Sequence, residues 1–155
     1  MKPIELSAKL PAALQPDLEA LFFFNPHQPK SREGIIATVA KMGTPVIMQS
    51  GDSVWIGVPS GNTQCLFACE TQDNKQRPVG VVLYSRPDPS VIWISHLAID
   101  PDRVGGRQEQ GIGLGCFLVE KVREIACRIK GVTRIQLPYQ RDRFLPVRPL
   151  GRGLL

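Results

Sequence analysis

Between Arg107 and Ala126 the chain reads RQEQGIGLGCFLVEKVREIA, with Gly111, Gly113 and Gly115 at alternate positions directly ahead of a run with helical spacing. The chemistry that such a spacing allows is anion binding. The first amides of a helix have no intrahelical partner and stand at the positive end of its dipole, so they are a ready site for a phosphate. Glycine lets an oxygen-rich ligand reach those amides without meeting a Cβ. Behind the glycines, Leu114, Leu118, Val122, Ile125 and Ile129 form one apolar stripe, with Glu120, Lys121, Arg123 and Glu124 largely elsewhere. The glycines therefore end where an amphipathic helix begins.

Three phosphate-loop patterns compete for this segment. A Walker A loop needs GxxxxGK[ST], which is absent. A dinucleotide fingerprint needs GxGxxG, but counting from Gly111 places Cys116 at the last glycine, and Leu137-Pro138-Tyr139 stands where the next strand should end in an acid. The third pattern, [QR]xxGx[GA] after a strand ending in a Leu-Ala-Val-x-Pro type sequence, is matched. It occurs as Gln108-Glu109-Gln110-Gly111-Ile112-Gly113 after Leu97-Ala98-Ile99-Asp100-Pro101.

In these residues the sequence resembles the GNAT superfamily of acyl-CoA-dependent N-acetyltransferases. The resemblance spans roughly Leu10 to Tyr139 in element order and is specific from Val79 to Tyr139. It implies an α/β (α+β) domain with a mixed, mostly antiparallel central sheet, a parallel β4/β5 splay in the family's strand count, and flanking helices. It also implies acetyl-CoA as cosubstrate, with no metal. The amides of Gln108, Glu109, Gln110, Gly111, Ile112 and Gly113 would receive the CoA pyrophosphate. The backbone of Leu97, Ala98 and Ile99 would pair with the pantetheine arm as an added strand, and one of those amides would polarise the thioester carbonyl. Nine residues separate Pro101 from Gly111, a few more than the family usually has. Within that longer loop Arg103 and Arg107 could reach the 3′-phosphate or the pyrophosphate.

The elements that must carry this site can be read along the chain. A short extended start, Pro3 to Ala8, precedes two helical segments, PAALQPDLEALFFF and SREGIIATVAKMG, each expected to pack one face on a core. Ser31 suits the start of the second and Gly43 its end. The run Phe22-Phe23-Phe24 reads as a helix end buried against a sheet. PVIMQS, SVWIGVP, TQCLFACE, PVGVVLYSRP and SVIWISHLAID read as strands. Their connections are short, so neighbours are expected to pair antiparallel. The glycine-headed helix should end near Ile129, closed by Gly131, and VTRIQLPY follows as a strand. Strand, crossover helix and strand make the Val91 and Val132 strands parallel. Residues 1–140 are read as one GNAT-like domain and 141–155 as a basic C-terminal tail.

Direct acetyl transfer to an amine requires a route for the amine's proton. Candidates near the expected cleft are Ser95 and His96 on the Val91 strand and Glu70 at the end of the Thr63 strand. Ser95 shares strand parity with Leu97 and Ile99, whereas His96 points to the opposite face unless a bulge intervenes, which favours a structural histidine. Glu70 reads more readily as a solvated strand end. In the family a tyrosine within an N…A…Y…GF stretch often protonates the departing thiolate, and that stretch is missing here. Tyr139, at the end of the last strand, is the tyrosine available. Only sixteen residues follow it, too few for the elements that normally wall the acceptor site. A second subunit could complete the site, making a homodimer. The expected activity is transfer of an acetyl group to a primary amine of a small-molecule or peptide acceptor. The alternative is an acyl-CoA-binding sensor or assembly partner without turnover.

Composition excludes several other classes. With 155 residues the chain suits a single domain, burying roughly 70% of its unfolded surface. Cys65, Cys69, Cys116 and Cys127 form no CxxC pair, so neither zinc nor a disulfide framework is indicated and buried free thiols are expected. No apolar stretch approaches the ~18 residues of a membrane span, and the start lacks a signal-peptide core, which reads as cytoplasmic. The net charge is +5, with arginines crowding the last residues. Phe144 is the tail's only aromatic, so a stacking platform for nucleic acid is lacking.

Overall fold

The computed structural model describes residues 3–25, 32–59, 62–103, 113–138 and 143–147. β1 (Ile4–Ser7) and β2 (Leu10–Pro11) lead through a 3-10 turn into α1 (Gln15–Phe22), and α2 (Arg32–Met42) follows. Five strands come next: β3 (Val46–Ser50), β4 (Ser53–Gly57), β5 (Gln64–Gln72), β6 (Lys75–Asp88) and β7 (Val91–Ile99). A 3-10 turn at Pro101–Arg103, α3 (Leu114–Cys127), β8 (Arg134–Gln136) and β9 (Phe144–Pro146) complete the order.

The main sheet runs β1-β5-β6-β7-β8-β9 and a smaller one runs β2-β4-β3. Every pair is antiparallel except β7 with β8, joined in parallel through α3. The expected mixed, mostly antiparallel sheet with flanking helices is therefore present. Its parallel pair, however, is β7/β8 rather than β4/β5 along the chain, because the short strands at the start and in the smaller sheet also count. The meander is divided as well. β4 pairs with β3 and β2, and β5 pairs with β1 and β6, so the short Val58–Thr63 connection joins two sheets instead of making a hairpin.

Alternation along the strands divides the core in two. Cys65, Phe67 and Cys69 of β5, with Val81 and Leu83 of β6, pack beneath Leu18, Leu21 and Phe22 of α1 and Val54 and Ile56 of β4. Ala68, Val82, Ile92 and Ile94 face Leu114, Phe117, Leu118, Val122 and Ala126 of α3. Leu18, Phe67, Leu83, Leu118 and Ile135 have no exposed surface, and each such side chain contributes about 1.5–3 kcal/mol of hydrophobic stabilisation. Gly80 allows the close approach of α3: a Cβ there would stand 2.9 Å from Leu118 Cδ1 and 3.2 Å from Ile99 Cδ1. Gly43, at φ +100°, ends α2 as its position suggested.

Other expectations need correction. α2 fully buries only Thr38, and Ile36 is 56% exposed, so this helix does not sink a face into the core as α1 does. Of the three phenylalanines, Phe22 is buried while Phe24 is 74% exposed, because the helix has ended before it. Cys116 and Cys127 are exposed on α3. Cys65 and Cys69 are buried free thiols, and burial pushes them up to about 12 and about 11, well above a reactive range. The sheet also runs past residue 140: β9 pairs with β8, and Val147 is 4% exposed in the α3-side core. Among the described residues no helix is long and apolar enough to cross a membrane.

Candidate functional site

Two elements meet where the glycine motif and the Val91 strand were expected to cooperate. β8 pairs with β7 only over Val91–Trp93, opposite Arg134–Gln136. Among the described residues this ladder stops there, although β7 continues six residues further. On its other edge β7 remains paired with β6 as far as Gly80 and Ile99. The start of α3 covers the far end of β7: a Cβ on Gly115 would lie 3.7 Å from Leu97 Cδ2 and 3.9 Å from Ile99 Cγ1. Gly113 caps the helix in an extended conformation, with its carbonyl accepting the Phe117 amide at 2.9 Å and no side-chain cap. The amides of the first turn have no intrahelical partner by helix geometry.

A bulge in β7 sets which side chains line this region. Leu83 pairs with His96 and Tyr84 with Ile94, so Ser95 is the extra residue. Ile92 and Ile94 before the bulge, and Leu97 and Ile99 after it, all pack on the α3 side. The sequence signal was the three-residue step from Ile94 to Leu97 in a strand otherwise spaced by two. Ser95 is fully buried, and its hydroxyl donates to the Leu83 carbonyl at 3.3 Å. His96 lies on the opposite face from Leu97, as parity indicated, with its ring centroid 5.7 Å from that of Phe22. Burial pushes its imidazole down to about 4, so it is neutral near pH 7.

Glu70 differs most from its expected setting. Its side chain is 1% exposed and pairs with Arg103, and Arg77 Nη1 lies 3.6 Å from Oε1. Arg77 also pairs with Asp100. A solvated strand end is thus replaced by a four-residue cluster of two carboxylates and two guanidiniums, which offsets the desolvation of Glu70. Arg103, one of the two arginines expected near phosphate, is held on this carboxylate. Arg77 stands directly opposite Glu70 in the β5–β6 pairing, but Arg103 is thirty-three residues away and nothing local announces it.

Three further residues were given no role in the sequence reading. Asn25 is buried, and its Nδ2 donates to the Leu21 and Ile99 carbonyls, each at 2.9 Å, tying the end of α1 to the end of β7. The Asn25-Pro26 dipeptide after a helical run was its only mark. Asp100 is anchored by its amide to the Val79 carbonyl at 2.8 Å, and its Oδ1 accepts the Asp102 amide at 2.9 Å. Tyr84, opposite Ile94 at the bulge, is a half-buried phenol whose pKa is raised by burial and by nearby Cys65. Arg107, Gln108, Glu109, Gln110, Gly111, Ile112 and Tyr139 lie outside the described residues.

No protein-family model matches the sequence, and no curated protein matches it. Among solved structures, the chain is similar to the loading GNATL domain of CurA from Lyngbya majuscula, at 17% identity and TM-score 0.45, covering 86% of this chain and 63% of that one. It is similar to a GNAT-family protein from Desulfovibrio desulfuricans at 19% identity and TM-score 0.41, covering 87% and 71%. It is also similar to the GNAT-like decarboxylase GphF in complex with isobutyryl-CoA, at 15% identity and TM-score 0.43, covering 86% and 63%. The chain thus spans less than two thirds of the length of the first and third of these structures.

Proposed function

We propose that the chain binds acetyl-CoA and transfers its acetyl group to a primary amine. The observation that carries this is the juxtaposition of a strand that outruns its parallel neighbour with a glycine-headed helix start. Together they suit a ligand with an anionic end and an extended amide-bearing arm. The amides at the head of α3 would take the diphosphate, and the distal half of β7 would run alongside the pantetheine, bringing the thioester toward the bulge. The motif from Gln108 to Gly113 supports the same assignment.

In the transfer the amine nitrogen attacks the thioester carbonyl, the C–S bond breaks, and the sulfur leaves as a thiolate that takes up a proton. A β7 amide would hydrogen-bond the carbonyl oxygen as negative charge develops on it. Proton removal is assigned to water. His96 is a weak base in its buried setting, the Ser95 hydroxyl is committed to Leu83, and the Glu70 carboxylate is held by arginines. An acceptor of low amine pKa is therefore favoured, since more of it is unprotonated at neutral pH.

Incubation with acetyl-CoA and a panel of polyamine, aminoglycoside and peptide amines tests the proposal by thiol release. Release that depends on both substrates is expected. Thermal stabilisation by CoA without release from any amine would point instead to an acyl-CoA-binding sensor, for which the strongly depressed His96 and the charge-paired Glu70 are the favouring observations.

A further inference from the structure

A single carboxamide ties the end of α1 to the end of β7. Asn25, three residues past the last residue of α1 and 5% exposed, donates from Nδ2 to the Leu21 and Ile99 carbonyls, each at 2.9 Å. Both partners are carbonyl oxygens, so the place suits an amide nitrogen and repels a carboxylate. The Leu21 oxygen is one of the last four of α1, which helix geometry leaves without an intrahelical donor. The Ile99 oxygen bears on the site. The Asp100 amide donates to the Val79 carbonyl of β6 at 2.8 Å, and this trans peptide points its C=O opposite to its N–H. The Ile99 carbonyl therefore points away from β6, onto the edge along which β7 outruns β8.

We propose that Asn25 is a positioning residue that closes the far end of the pairing edge of β7: by holding the Ile99 carbonyl it fixes how far along the strand an extended, amide-bearing arm can pair. This rests on the acyl-CoA reading above and narrows it, since the arm then pairs upstream of that carbonyl instead of along the whole of Leu97 to Ile99. The contrary role is a placeholder, in which the carboxamide occupies the edge until a ligand displaces it. Burial and the two hydrogen bonds from Nδ2 favour the fixed role, because displacement would strand two carbonyls at once. The two roles predict opposite signs. Loss of a fixed stop lets arm and edge misalign and weakens binding. Loss of a placeholder frees the edge and strengthens it.

The test uses the full chain with Asn25→Asp, which sets an oxygen against both carbonyls, and Asn25→Ala, which removes the donor alone and serves if the aspartate variant does not fold. Affinities are measured for CoA, for pantetheine, and for 3′-phospho-ADP, the half of CoA that keeps the diphosphate and lacks the arm. Each variant should bind CoA and pantetheine about tenfold more weakly, the size expected for loss of such hydrogen bonds, with 3′-phospho-ADP affinity unchanged. Without ligand, the Asp100 amide should exchange with solvent about tenfold faster, through local opening of the strand end. Pantetheine binding equal to or tighter than that of the native chain overturns the proposal. So does weakening of all three ligands alike, which a general disturbance of the fold would produce. If the native chain binds no CoA, the acyl-CoA reading fails and the ligand role of Asn25 with it, and the exchange rate alone then decides whether Asn25 holds the strand end.

Discussion

The buried His96 imidazole carries a measurable signature in stability. Its pKa is about 4 in the folded chain against an ordinary 6.5, so the unfolded chain binds the proton more tightly. Stability is accordingly unaffected by this group above pH 6.5 and is lost as pH falls from 6.5 toward 4, by up to about 3 kcal/mol. Denaturant unfolding at a series of pH values should show that slope, and His96→Gln should flatten it. If the slope persists in the variant, His96 is not its source. The placement of His96 was legible at the level of strand parity, because the face of a strand is a local property. The setting of Glu70 was not, since its burial depends on two guanidiniums, one from the facing strand β6 and one from the turn after β7. With Arg77 as its cross-strand neighbour alone the carboxylate still reads as solvated, and its burial emerges only when the distant Arg103 is brought over it.

At the level of elements, the packing of α3 on β6 and β7 rests on two glycines with different roles. A methyl at Gly80 would collide with Leu118 in a core without slack, so Gly80→Ala should cost about 1–3 kcal/mol, read by urea unfolding. A methyl at Gly115 would meet Leu97 and Ile99 at ordinary contact distance. Gly115→Ala should therefore be neutral or stabilise by up to about 1 kcal/mol through helix propensity, while weakening CoA if the diphosphate approaches the first turn. A destabilised Gly115→Ala would show that the helix start is packed more tightly than this. Most of the α3 stripe and its crossover to a parallel strand were legible because a 3.6-residue period and right-handed βαβ geometry are local rules, although Phe117 and Ala126 fill the core where Ile125 was expected. The division of the meander was not. Short connections imply adjacency, but whether two strands share a sheet depends on which faces the helices cover. The bulge at Ser95 was half legible, visible as a skipped beat in the apolar spacing yet ambiguous without β6.

Across the whole molecule, the composition of the last fifteen residues suggested a tail, whereas β9 and Val147 complete the sheet edge and the α3-side core. Prolines, glycines and arginines conceal a three-residue strand, because so short an element has no periodicity to detect. Ending the chain after residue 142 should remove β9 and the burial of Val147, costing at least about 2 kcal/mol and lowering the melting temperature. An unchanged melting temperature would mean the edge strand contributes nothing. The layered architecture itself was legible, since strand count, helix stripes and the late crossover leave few arrangements open.

The proposed acyl-CoA site requires that amides at the head of α3 bind a diphosphate. Titration calorimetry of the native chain with CoA and with pantetheine, which lacks that group, tests it most directly. Saturable CoA binding that weakens with added salt, and is at least about tenfold tighter than pantetheine binding (~1.4 kcal/mol), is predicted. No heat with CoA at millimolar concentration, or equal affinity for the two ligands, would contradict it.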